Sequence, residues 1–144
     1  MDRRTRILIA DDDAQIRRSL RAALDGMDDV AVVAEAVDGH DAVELTRLHR
    51  PNIVLMDTNM PRLSGLDATV RIARQAPRVR VIMVSLQADG AYVHRAIAAG
   101  ARGYVPKNAA PTELETAVRF VSRGGVYIGR RLGPPKEMVS PDRG

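Results

Sequence analysis

Three consecutive carboxylates, Asp11, Asp12 and Asp13, follow directly on the apolar run at 7–10. Two like charges about 4 Å apart repel by roughly 1 kcal/mol in water, and by several times that near a protein surface. Such a cluster calls for compensating positive charge. Other apolar runs end in polar groups of related chemistry: IVLM ends in Asp57, VIMV in Ser85, and YVP in Lys107. Carboxylates gathered in one place would form a hard-cation site. Mg²⁺ prefers oxygen ligands and keeps several waters, so one or two carboxylates suffice. A backbone carbonyl just past Asp57, that of Asn59, would complete the protein's share.

Each residue also has a plainer reading. Asp13 suits a helix N-cap, a position where Asp is among the preferred residues. Asp11 and Asp12 taken singly are turn formers. Asp57 precedes Met60-Pro61 and reads equally well as a loop carboxylate. Ser85 is a small polar residue at a strand end, and Tyr104 suits core or edge packing. Lys107 is more telling. Of the 22 basic residues only two are Lys, so a chain that otherwise chooses Arg has kept Lys here. A compact ammonium suits a single anionic oxygen better than a planar guanidinium fork does.

The elements that must position these groups are legible from periodicity. Apolar, largely β-branched runs fall at 7–10, 30–34, 53–56, 79–84 and 103–105. Between them, Ile16, Leu20, Ala23 and Leu24 mark one face of a helix, as do Leu114, Ala117, Val118 and Val121 after Pro111. Weaker helical stretches lie near 39–49, 65–75 and 90–99. Five strands alternating with five helices imply a doubly wound α/β fold, a parallel sheet covered on both faces. In such sheets ligands sit beyond the carboxyl ends of the strands, where strand order reverses. With the first and third strands adjacent at that point, Asp12 faces Asp57.

Composition sets the remaining bounds. At 144 residues the chain is read as one domain with an aliphatic core, since aromatics are 3% of it. The absence of Cys excludes disulfides and thiolate metal sites. No run is long enough to span a membrane, and a cytoplasmic location is expected. The net charge of +4 carries little weight as a nucleic-acid signal. Residues 124–144 hold four basic and two acidic side chains, and the other basic residues are dispersed. The helical pattern stops at Gly124-Gly125, and eight of the last 21 residues are Gly or Pro. The expected organisation is therefore a domain at 1–123 and a linker or tail at 124–144.

The pieces ILIADDD, IVLMDTNMPRLSGLDA, VIMVS and GARGYVPKNA together resemble the receiver domain of bacterial two-component response regulators, over residues 5–123. The resemblance implies a flavodoxin-like (βα)5 fold with a five-stranded sheet ordered 2-1-3-4-5. It implies that Asp57 accepts a phosphoryl group from a phosphohistidine on a sensor histidine kinase. Asp11, Asp12, Asp57 and the Asn59 carbonyl would hold Mg²⁺, and Ser85 and Lys107 would contact the phosphoryl oxygens. Tyr104 would report the change. The domain would not be an enzyme on other substrates, catalysing only its own phosphorylation and dephosphorylation. The face of the fourth helix, fifth strand and fifth helix is the inferred output surface, with homodimerisation one use of it.

The tail SRGGVYIGRRL looks like the segment after the receiver in NarL/FixJ-type regulators, which continue into a DNA-binding effector. DNA binding is expected only through such an effector, and the chain is read either as an excised domain or as a naturally short protein. Three departures from the family pattern bear on the site. Ser85 stands where Thr is frequent, Asn108 rather than Pro follows Lys107, and bulky Leu86 is expected to restrict how far Tyr104 turns inward. A haloacid-dehalogenase-like phosphatase is disfavoured, because Asp11-x-Asp13 runs into Ala14-Gln15 rather than its DxDxT signature. A flavin carrier would need a Ser/Thr/Gly-rich loop where this one is acidic. A receiver-like interaction module that is never phosphorylated is the remaining alternative.

Overall fold

The computed structural model describes residues 3–86 and 89–129. Strands β1 (Thr5–Ala10), β2 (Val30–Ala36), β3 (Ile53–Asp57), β4 (Arg80–Ser85), β5 (Gly103–Pro106) and β6 (Tyr127–Ile128) alternate with five helices. These are α1 (Ala14–Asp25), α2 (Gly39–His49), α3 (Gly65–Gln75), α4 (Gly90–Ala99) and α5 (Pro111–Ser122). The strands form one parallel sheet in the order β2-β1-β3-β4-β5-β6. Order reverses between β1 and β3, as the sequence implied.

The sheet separates two apolar layers, and strict alternation along each strand feeds both. Leu8, Val54, Met56, Val81, Met83 and Tyr104 face α2, α3 and α4. Ile7, Ile9, Leu55, Ile82, Val84 and Val105 face α1 and α5, meeting Leu24, Leu114, Val118 and Val121. The four internal strands β1, β3, β4 and β5 are buried on both faces at their centres, so they read as continuous rather than alternating apolar runs. Val30–Ala36 is only partly buried along its middle, consistent with its edge position.

Helix starts follow side-chain capping. Asp13 accepts hydrogen bonds from the backbone N–H groups of Gln15 and Ile16, as expected of an N-cap. Asp38, Ser64 and Asp89 cap α2, α3 and α4 in the same way. Pro111 occupies the first turn of α5. No described helix is long and apolar enough to cross a membrane.

The expected five strands are joined by a sixth. Beyond Gly124 (φ 98°), Tyr127 N–H donates to the Arg102 carbonyl and Gly129 N–H to that of Tyr104. Tyr127 is 5% exposed and packs edge-on to Phe120, while its hydroxyl donates to Glu113 at 2.9 Å. A Gly- and Pro-rich stretch thus contains one short pairing segment. The rest of the expected tail, residues 130–144, lies outside the described residues.

Candidate functional site

The site forms where β1, β3, β4 and β5 end. Asp11 leaves β1 immediately after Ala10 and is 1% exposed. Its backbone and side chain are fixed from several directions. Asp11 N–H donates to the Ala36 carbonyl, Asp13 N–H donates to Asp11 Oδ1 at 2.9 Å, and Arg17 donates to the Asp11 carbonyl at 2.7 Å. Asp12, between them, projects into solvent. Asp57 is the last residue of β3 and is 3% exposed.

Lys107 reaches across from the β5–α5 loop. Its Nζ lies 3.1 Å from Asp11 Oδ2 and 3.1 Å from Asp57 Oδ1. Its own backbone N–H donates to the Ser85 carbonyl at 2.8 Å, which pins that loop to β4. No described peptide bond is cis, so the loop turns without the Lys–Pro bond of many relatives. One ammonium therefore serves two buried carboxylates while a third stands close by. Burial and the neighbouring Asp11 charge push the Asp57 carboxyl up to about 6, against the opposing pull of Lys107 and of the Asn59 N–H. Burial works against the Lys107 ammonium, but the two carboxylates outweigh it and hold its pKa above the ordinary value.

Oxygen atoms from Asp11, Asp12 and Asp57 lie within 4.8 Å of one another, close enough to hold a metal ion. The donor set is all oxygen, which fits a hard cation. Asp11 Oδ2 is buried, and the Lys107 ammonium at 3.1 Å is the group set against it among the described residues. The negative charge at this end of the sheet exceeds the positive charge that the fold supplies.

Below the carboxylates, Ser85 is fully buried at the end of β4. Its Oγ lies 2.9 Å from Thr58 Oγ1, a partner that sequence reasoning missed. Its only sequence signal was its position directly after Asp57. Tyr104 is 0% exposed and packs edge-on to Tyr92, with ring centroids 6.4 Å apart. Arg95 lies over the outer face of Tyr92, 5.0 Å from its centroid. Burial raises the Tyr104 phenol pKa, and its hydrogen bond with Ser85 works the other way. The expected obstruction by Leu86 is not found: Leu86 is 78% exposed while Tyr104 is fully enclosed. The backbone at Leu86 turns that side chain outward, so bulk there does not occupy the ring's space.

α3 closes the site from the other side. A Cβ on Gly65 would stand 1.9 Å from the Asp57 carbonyl oxygen, so only glycine lets this helix start so close to the strand end. Gly65 N–H donates to the Thr58 carbonyl at 3.0 Å, which fixes the residues after Asp57.

The comparisons with known proteins agree with this geometry. The family model for the response regulator receiver domain matches residues 7–119. The response regulator UvrY of Escherichia coli strain K12 is 38% identical over 122 residues, covering 85% of this chain and 56% of the relative. The oxygen regulatory protein NreC of Staphylococcus haemolyticus is 36% identical over 128 residues, covering 88% and 59%. The chain thus spans a little over half the length of these curated relatives. Among solved structures, the signal receiver domain of the response regulator NarL from Mycobacterium tuberculosis superposes with a TM-score of 0.81 at 31% identity, covering 84% of this chain and 98% of that one. A LuxR-family two-component response regulator from Aurantimonas gives 0.83 at 33%, covering 86% and 89%. With a doubly wound sheet ending in acidic residues at its switch point, this chain belongs to the response regulator receiver domain family, the phosphoacceptor signalling modules of two-component systems.

Proposed function

We propose that Asp57 is the phosphoacceptor, that Asp11, Asp12, Asp57 and the Asn59 carbonyl bind Mg²⁺, and that a sensor histidine kinase is the donor. The observation that carries this reading is Lys107 Nζ at 3.1 Å from both Asp11 and Asp57. It sets a cation beside the one carboxylate that ends β3. An Asp57 oxygen forms the new O–P bond as the N–P bond of the phosphohistidine breaks and the imidazole leaves with its electron pair. Mg²⁺, when bound, neutralises charge on the transferred group. Lys107 pairs with a phosphoryl oxygen, and Asp11 keeps Lys107 in place. Ser85 donates a hydrogen bond to another phosphoryl oxygen, and Tyr104 reads out the movement of Ser85.

The domain acts on no other substrate. Its output passes through the α4–β5–α5 face to a partner, which includes a second copy of the chain. Sequence-specific DNA binding belongs to an effector outside residues 1–123. Incubation with acetyl phosphate and Mg²⁺, followed by intact-mass measurement, tests the reading. Wild type should gain one phosphoryl group and Asp57→Asn none. Labelling of Asp57→Asn to the wild-type level would refute the assignment. An unlabelled wild type would favour an interaction module that is never phosphorylated.

A further inference from the structure

The end of the sheet away from Asp57 carries a second charged site, of opposite sign. A cleft of about 590 Å³ opens between the ends of α2 and α3, a size suited to a small molecule. Thr46, Arg47, Arg50, Asn52, Gln75 and Arg78 supply its polar lining, and no carboxylate lines it. Asn52 directly precedes β3 and Asp57 ends that strand, so roughly 16 Å of strand separates the two sites.

Arginines near the carboxyl end of a helix can simply offset its dipole. Arg47, in the last turn of α2, fits that role, and it is already paired with Glu44. Arg50 and Arg78 differ. Both lie beyond the last turns of their helices, are exposed, and have no side-chain partner among the described residues. Arg50 also holds a left-handed backbone, φ 47°, where Gly or Asn would be less strained. Arg6 brings another guanidinium to the same corner, donating to the Arg50 carbonyl at 2.9 Å.

The wall of the cleft adds an independent observation. Thr46 is 2% exposed, and its Oγ1 has no hydrogen-bond partner among the described residues. A helical Thr commonly bonds the carbonyl one turn earlier, as Thr69 does with Gly65 and Thr116 with Thr112. Thr46 makes no such bond, and a buried hydroxyl without a partner calls for an acceptor from elsewhere.

We infer that this cleft binds a small anion carrying two adjacent phosphate groups. Arg50 and Arg78 hold the phosphates through charge-assisted hydrogen bonds, and Thr46 donates its hydroxyl proton to a phosphate oxygen. Thr has two accessible side-chain rotamers in a helix, so the hydroxyl can follow an acceptor that enters. A planar guanidinium fork meets two oxygens at once, and every basic residue of the lining is Arg. The site is separate from the acidic one and does not depend on the phosphoacceptor reading of Asp57.

The test titrates inorganic pyrophosphate into the Mg²⁺-free protein, followed by calorimetry and amide NMR. Wild type should bind one equivalent, with the largest shifts at Thr46, Asn52 and Arg78 and little change at Asp11 and Asp57. Arg50→Gln/Arg78→Gln should weaken binding at least tenfold. Arg18→Gln/Arg123→Gln removes the same charge from α1 and the end of α5, and its affinity should stay within twofold of wild type. Thr46→Val keeps the shape and should weaken binding at least threefold, while Thr46→Ser should restore it. Absence of binding to wild type would overturn the inference. Equal losses in the two double variants would overturn it as well, since net charge alone would then attract the ion. So would undiminished affinity in Thr46→Val; should that variant fail to fold, the arginine pair decides. Tighter binding of a DNA or RNA oligonucleotide than of pyrophosphate would also overturn the assignment to a small anion.

Discussion

Two charged clusters of opposite balance lie on and beside the neighbouring strands β1 and β2. Glu35, on β2, is held by two guanidinium groups, Arg17 at 3.0 Å and Arg21 at 2.8 Å. The hydrogen bond from Arg21, with Arg17 behind it, outweighs partial burial and lowers the Glu35 pKa. At the switch point the ratio is inverted, with three carboxylates around one ammonium, and the Asp57 pKa rises to about 6. Both clusters touch the same side chain, since Arg17 also donates to the Asp11 carbonyl. Where cations outnumber carboxylates, the fold settles its own charge and the result is structural. Where carboxylates outnumber cations, the fold leaves a deficit that a metal ion or a phosphoryl chemistry can use.

Removing the single ammonium should widen this contrast most. Lys107→Met leaves Asp11 and Asp57 buried without a counter-charge, and apo stability at pH 7.5 should fall by about 3 kcal/mol in urea unfolding. The loss should shrink towards pH 5, where Asp57 takes up a proton.

Asp57→Asn should act in the opposite direction. Because the folded-state pKa lies above the unfolded value, the native state holds the proton more tightly. Stability from this group is therefore present below about pH 4 and lost as pH rises through about 6. Asp57→Asn should be more stable than wild type by roughly 2 kcal/mol at pH 7.5 without Mg²⁺. That advantage should vanish by about pH 4. A pH-independent difference between the two would contradict the crowding argument.

Mg²⁺ at ten times its dissociation constant should stabilise wild type by about 1.4 kcal/mol. Asp12→Ala should retain less than half of that gain, which thermal melts with and without Mg²⁺ would show. The smallest effect belongs to the balanced cluster. Glu35→Gln should cost less than about 1 kcal/mol and leave the Mg²⁺ response unchanged, because its ion pairs are partly exposed. A Glu35→Gln variant as damaging as Lys107→Met would erase the distinction between the clusters.

Much of this arrangement was legible in the sequence because buried parallel strands announce themselves twice, by an apolar run and by the polar residue that ends it. Asp57, Ser85 and Lys107 were found in that way, and Asp13 by its capping position. Periodicity also located α1 and α5, whose apolar faces cover one side of the sheet. Two features were not legible. Tyr127 and Ile128 make too short a run to stand out between glycines, and only the edge of β5 gives them a partner. Thr58 carries no motif, and only the fold brings it to a side chain 27 residues away. The effect of Leu86 was misjudged for a related reason: size is visible in a sequence, whereas the direction of a side chain is set by the backbone beneath it.

The attachment of β6 has a consequence for how the domain opens. The strand is two residues long and joins the sheet through the Tyr127 and Gly129 amides, beside a glycine pair whose first member has φ 98°. Local opening is easiest where few backbone hydrogen bonds must break and the adjoining chain can swing. In hydrogen-exchange terms β6 forms a unit of its own, with its amides open to solvent exchange long before those of β1, β3 and β4. Each such opening bares the carbonyls of Arg102 and Tyr104, so the strand that carries Tyr104 alternates between an interior and an edge position.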